Sequence, residues 1–153
     1  MINFSCKLTD HGWIDATLND ENDNMMIITA SYLSDAPYDL IMALALICEG
    51  VNETMCLWND EPGAYQWIFK RQSNLLKLEI IQSEQTFKYP SIDKSHIEFS
   101  GYENLGKFVH RVLREFSMLK SEYSTDGYQN LWGHEFPLQA LTRLSIGAKS
   151  LKF

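Results

Sequence analysis

Apolar and polar residues alternate over residues 12–18 (GWIDATL), with Ile14, Ala16 and Leu18 falling on one side and Asp15 and Thr17 on the other. A period of two predicts a half-buried strand. Residues 2–8 and 25–32 predict strands too, and NDENDN at 19–24 predicts the turn before the second of these. Asn and Asp bond their own backbone and tolerate unusual φ, which suits a hairpin tip. The rhythm then changes. Ser34 is a candidate N-cap for a helix over about 35–49, with Asp35 at its positive end, Pro37 in its first turn and Gly50 at its stop. From Leu40 to Cys48 this helix is apolar all round, so it predicts burial on more than one side.

Strands at about 53–58, 64–70 and 75–82 follow, with a short one near 95–99. Ser100-Gly101-Tyr102-Glu103 reads as a capping box for a second helix over 101–123. Leu105, Phe108, Val109, Val112, Leu113, Phe116, Leu119 and Tyr123 keep the helical period across it. STDG at 124–127 predicts a turn and YQNLWGHEF a link, after which Pro137 opens a short helix with Leu138, Leu141 and Leu144 inward. The expected fold is α+β: a mostly antiparallel sheet of about six strands, with two main helices packed on it and a short C-terminal helix. No repeat, low-complexity tract or Pro/Ser-rich linker interrupts residues 1–153, which predicts a single domain.

The stretch WNDEPGAYQWIFKR (58–71) carries the densest candidate chemistry. Adjacent acids do general acid/base work only where one carboxyl is desolvated. At a hairpin tip Asp60 and Glu61 are more simply loop residues, with Pro62-Gly63 as the central pair of a type II turn. Tyr65, Trp67 and Phe69 share a face, which suits core packing better than base stacking, since a stacking groove carries Lys and Arg. Tyr128, Trp132 and Phe136 read as core in the same way.

His11, His96, His110 and His134 stand in no metal-ligand spacing, and there is no GxSxG, GxGxxG or P-loop. Cys6, Cys48 and Cys56 are an odd set without CxxC, as expected of reduced cytoplasmic thiols. The opening MINFSCKLTD lacks the apolar run of a leader, and no segment approaches the roughly 20 apolar residues a bilayer needs. The expectation is a binding protein without catalytic residues, metal or cofactor.

Charge adds a direction. The chain is −7 overall, but residues 8–69 carry eleven acids and no Lys or Arg, leaving thirteen bases against nine acids elsewhere. Such a balance argues against nucleic-acid and anionic-membrane partners and creates a one-sided field if the acids share a face.

SYLSDAPYDLIMALALICEG (31–50), EPGAYQWIFKR (61–71) and LWGHEFPLQALTRL (131–144) together resemble small bacterial immunity proteins of polymorphic-toxin and contact-dependent growth inhibition systems. The likeness is a pattern spanning most of the chain: a strand, an Asp-bearing N-cap, an apolar helix, an EPG hairpin and a closing Trp…Phe-Pro helix. It implies a cytoplasmic protein that neutralises a cognate toxin domain by binding it, and it carries over no catalytic residue. A nuclease-type toxin has a basic groove, so an acidic surface would speed association and could cover that groove. The expected contact residues are Asp20, Glu21 and Asp23 in the first loop, Asp35 and Asp39 at the first helix, and Asp60 and Glu61 in the hairpin. Two alternatives stay open: a small enzyme with a site built from dispersed residues, and a homo-oligomeric structural protein.

Overall fold

A computed structural model describes residues 1–89 and 96–151. Its elements run β1 (Ile2–Asp10), β2 (Trp13–Asp20), β3 (Met25–Ser31), α1 (Ala36–Cys48), β4 (Glu53–Asn59), β5 (Ala64–Gln72), β6 (Leu75–Ser83), β7 (Ile97–Asn104), α2 (Leu105–Trp132) and α3 (Leu138–Ala148). The fold is α+β and every strand pairing is antiparallel. Among the described residues the strands number seven and form two sheets, β1-β2-β3 and β4-β5-β6-β7, rather than about six in one sheet. The strand expected near 95–99 is β7, which runs on to Asn104; residue 95 lies outside the described residues.

Alternation decides which faces are buried. Ile14, Ala16 and Leu18 of β2 are fully buried, as are Trp67 and Phe69 of β5, while the residues between them are more exposed. The two sheets meet through Phe4 of β1, which packs edge-on against Trp67 at 6.4 Å and against Phe108 of α2 at 6.0 Å. Trp58 and Phe69 complete this centre at 5.1 and 6.2 Å from Trp67. Helix α1 is buried on most of its surface, packed between β4 and α3, as its unbroken apolar run requires.

Three local expectations are corrected. The capping box at 100–103 is strand: Glu103 is the inward residue of β7, and Asn104 caps α2 by accepting from the Lys107 amide at 3.0 Å. The STDG turn is a kink inside α2. Ser124, at φ 63 and ψ 170, breaks the helix, and its hydroxyl accepts from the Gly127 amide to restart it. Leu138 of α3 faces outward, while Ala140, Leu144 and Ala148 are buried.

Glu103 instead seals the margin of the first sheet. Its carboxylate accepts from the Ile2 amide at 3.0 Å and from Arg111, whose guanidinium also donates to the Ile2 carbonyl at 2.9 Å. Glu115 accepts from the Cys6 amide at 3.3 Å. Side chains thus satisfy the outward amides of Ile2 and Cys6 and the Ile2 carbonyl, which leaves less of the β1 edge open to another strand. No helix among the described residues is long and apolar enough to cross a membrane.

Candidate functional site

The seven acids expected to form a contact surface fall into two groups. Asp20, Glu21 and Asp23 make the β2–β3 turn. Asp20 folds the loop around itself, accepting from the Asn22 amide at 2.9 Å and from the Asn24 amide and side chain, both at 3.0 Å. The Asn24 side chain holds the Asp20 carboxyl below its usual value. Asp23 takes the left-handed φ of 61 that Asp tolerates in a tip. Glu21 meets the terminal amino group of Met1 at 2.6 Å, exposed on both sides.

The second group gathers around the start of α1. Asp35 occupies the N-cap position but makes no capping bond with its side chain. Its carboxylate accepts instead from the indole Nε1 of Trp132, 3.1 Å away at the end of α2. Gly133, at φ 104, ends that helix in the left-handed conformation, and His134 Nε2 then donates to the Tyr32 carbonyl at 2.8 Å. Asp39 follows Asp35 by one helical turn. Burial pushes its carboxyl up to about 6, with the Asp35 charge adding to the rise and His134 opposing it. Burial also raises Asp35, against the Trp132 hydrogen bond and the nearby His134. These are half-buried carboxylates, not free surface charges.

Asp60 and Glu61 lie in the β4–β5 turn, closed by the Asp60 amide donating to the Gly63 carbonyl at 3.0 Å. That bond makes Glu61 and Pro62 the central pair, one residue earlier than the expected Pro62-Gly63, and the Glu61–Pro62 peptide is cis. Asn59 joins this turn to the α1 start. Its side-chain amide donates to Ser34 Oγ at 2.9 Å and its Oδ1 accepts from the Phe87 amide at 2.6 Å. Ser34 is therefore a bridge to the second sheet, not the expected cap.

The Ser34–Asn59 bond brings Asp35, Asp39, Asp60 and Glu61 to one region of the molecule. Asp20, Glu21 and Asp23 sit at the far end of β3, seven residues or about 20 Å of strand away. Among the described residues, no Lys or Arg ion pair is made by Asp20, Asp23, Asp35, Asp39, Asp60 or Glu61. Glu49, from the same base-free segment, is paired with Arg143 at 2.7 Å and so adds little net field.

Beside the second group lies a groove of about 600 Å³ between α1 and the outer edge of β4. Asp39, Met42 and Leu46 line it from α1, Met55 and Leu57 from β4, and Phe87 from the segment after β6. Asp39 is the one carboxylate among its described walls, which hold no Lys, Arg or His. Sequence reasoning missed this groove and the Asp35–Trp132–His134 corner, because each is assembled from elements far apart in the chain. Among the described residues no group of three or more His, Cys, Asp or Glu is placed to hold a metal ion.

Asp39 makes a direct prediction about stability. Its raised pKa means the folded state holds the proton more tightly than the unfolded chain, so folding loses stability as pH rises from about 4 to about 6. Asp39→Asn removes that loss. The variant should be more stable than the parent by about 1 kcal/mol at pH 7 to 8, after allowing for partial solvent screening. The difference should vanish below about pH 4. Denaturant titrations across this range would show it; equal stabilities at pH 8 would mean that the carboxylate is fully solvated.

No protein-family model, no curated protein and no solved structure matches this chain.

Proposed function

We propose that this protein is a toxin-neutralising immunity protein that binds a basic, nuclease-type toxin domain in the cytoplasm through its acidic surface. It acts as one half of a heterocomplex, without catalysis, cofactor, nucleic acid or membrane. The observation that carries the reading is the set of carboxylates without a Lys or Arg partner in a segment devoid of bases, four of them drawn together by the Ser34–Asn59 bond. Unneutralised charge of one sign raises the encounter rate with a cationic partner and falls off with salt. The half-buried Asp35 and Asp39 are suited to the centre of such a contact, and the half-buried Asp60 and exposed Glu61, in the β4–β5 turn, to its rim. Rim charges act on association rate more than on complex lifetime.

The test is the triple variant Asp23→Lys, Asp60→Lys, Glu61→Lys, measured against the toxin domain encoded by the neighbouring reading frame. All three side chains lie in turns outside the packed core, so the fold should persist. Association at low salt should slow about tenfold or more, and its dependence on ionic strength should flatten. An unchanged rate would exclude steering by these residues.

One observation favours a second reading, a small enzyme: Asp39 lines a groove with its carboxyl raised toward neutrality, as a general acid requires. The groove offers that carboxyl no second acid and no His among its described walls. The binding reading accounts for the same features and for the charge asymmetry as well.

A further inference from the structure

The hydrogen-bond phase of β4 identifies a feature that the charge distribution does not. The Arg71 amide donates to the Asn52 carbonyl at 2.8 Å, and the Asp60 amide donates to the Gly63 carbonyl at 3.0 Å. These bonds flank the β4–β5 ladder at its two ends and lie on the same register as Thr54↔Phe69, Cys56↔Trp67 and Trp58↔Tyr65. Residues in an antiparallel ladder alternate between bonded and non-bonded pairs. The amides and carbonyls of Thr54, Cys56 and Trp58 therefore face β5, and those of Glu53, Met55, Leu57 and Asn59 face the other way.

Nothing among the described residues takes up those outward groups, since β4 ends its sheet and pairs with β5 alone. β1 provides the contrast, because its outward amides at Ile2 and Cys6 are satisfied by Glu103 and Glu115. β3 and α1 both pass close to β4, and a groove lies beside it. This groove between α1 and β4 is lined by Met42 and Leu46 of α1 and by Phe87. Phe87 holds a φ of 62, which is unfavourable for a bulky residue, and the residue is 59% exposed. The Phe87 amide is fixed by Asn59 Oδ1, so this apolar ring is held out beside the groove instead of tucked into the core.

We infer that the β4 edge and its groove receive an extended segment of the toxin, which adds a strand to the four-stranded sheet and places a Lys or Arg at Asp39. This rests on the immunity-protein reading and names the contact within it. Outward backbone groups recur every second residue, about 6.8 Å apart, which is the repeat of an added strand. Side chains on one side of that strand would meet Met42, Leu46 and Phe87. The lone carboxylate, with no base beside it in the groove walls, selects a cation among them. Main-chain bonds give such a contact its lifetime, while the exposed acids set its encounter rate.

Backbone amide exchange read residue by residue by NMR tests this on the unaltered chain, free and with the toxin domain encoded by the neighbouring reading frame. In the free protein Met55 and Leu57 should exchange faster than Cys56 and Trp58. In the complex both should slow at least tenfold while Cys56 and Trp58 change little. Leu57→Pro removes an outward amide without breaking the β5 ladder and should speed dissociation at least tenfold. Ile27→Pro, at an exposed outward position of β3, should leave dissociation unchanged. If either proline variant melts well below the parent, the exchange data decide. A complex in which Met55 and Leu57 still exchange as in the free protein overturns the strand addition and leaves the immunity reading intact. Absence of any complex with the neighbour-encoded domain removes the immunity reading, and the inference with it.

Discussion

Arg111→Ala is expected to lower the unfolding free energy by about 3 kcal/mol, because it strands a carboxylate inside the fold. The side chains of Arg111 and Glu103 are only 17% and 8% exposed, so solvent screens the pair little. Burial alone would raise the Glu103 carboxyl. The Arg111 guanidinium, with the amides of Ile2 and Asn104, outweighs that and holds it below its usual value. A depressed carboxyl stabilises the fold above its unfolded pKa, and this contribution is lost as pH falls through the lower folded value. The parent should therefore weaken on acidification below about pH 4, and the variant should show less of that slope. Guanidinium titrations at pH 7 and pH 3 measure both effects. The double variant Glu103→Gln, Arg111→Met should recover part of the loss, since removing both charges avoids the unpaired one. A loss under 1 kcal/mol for Arg111→Ala would mean that water reaches Glu103.

Trp67→Ala should be at least as damaging, by about 4 kcal/mol. The indole is fully buried and touches Phe4, Trp58 and Phe69, so its removal opens a cavity where the two sheets meet. Trp67→Phe should lose much less than its volume change suggests. The Trp67 Nε1 is buried without a hydrogen-bond partner, and a phenyl ring leaves no such group unsatisfied. Thermal melts of the two variants separate these effects. Equal destabilisation by Phe and Ala would show that a bound water satisfies the indole.

The elements that sequence patterning placed well are those whose signal is local. The alternation of Ile14, Ala16 and Leu18 gave β2, and the unbroken apolar run from Leu40 to Cys48 gave a helix covered on most sides. Ser100 to Glu103 has the spacing of a capping box and lies just before a real helix, yet Glu103 belongs to a strand. Its partners are Arg111 and the backbone of Ile2, the latter about a hundred residues away, and no window of sequence contains both. STDG carried a true signal, since Ser124 does cap a helix, but the chain resumes the helix instead of leaving it. The acidic asymmetry was legible as a count. The burial of Asp35 and Asp39, and the Ser34–Asn59 bond that groups them with Asp60 and Glu61, arise only when β4 comes to lie beside α1.

The sealing of β1 has a consequence for how this polypeptide is made. Ile2 emerges from the ribosome 101 residues ahead of Glu103, the side chain that covers its amide. At about 5–20 residues per second, the nascent first hairpin waits roughly 5–20 s with that margin uncovered. During translation the N-terminal third is thus open to any neighbouring strand or chaperone. It becomes a closed unit only once α2 has been synthesised and laid against it.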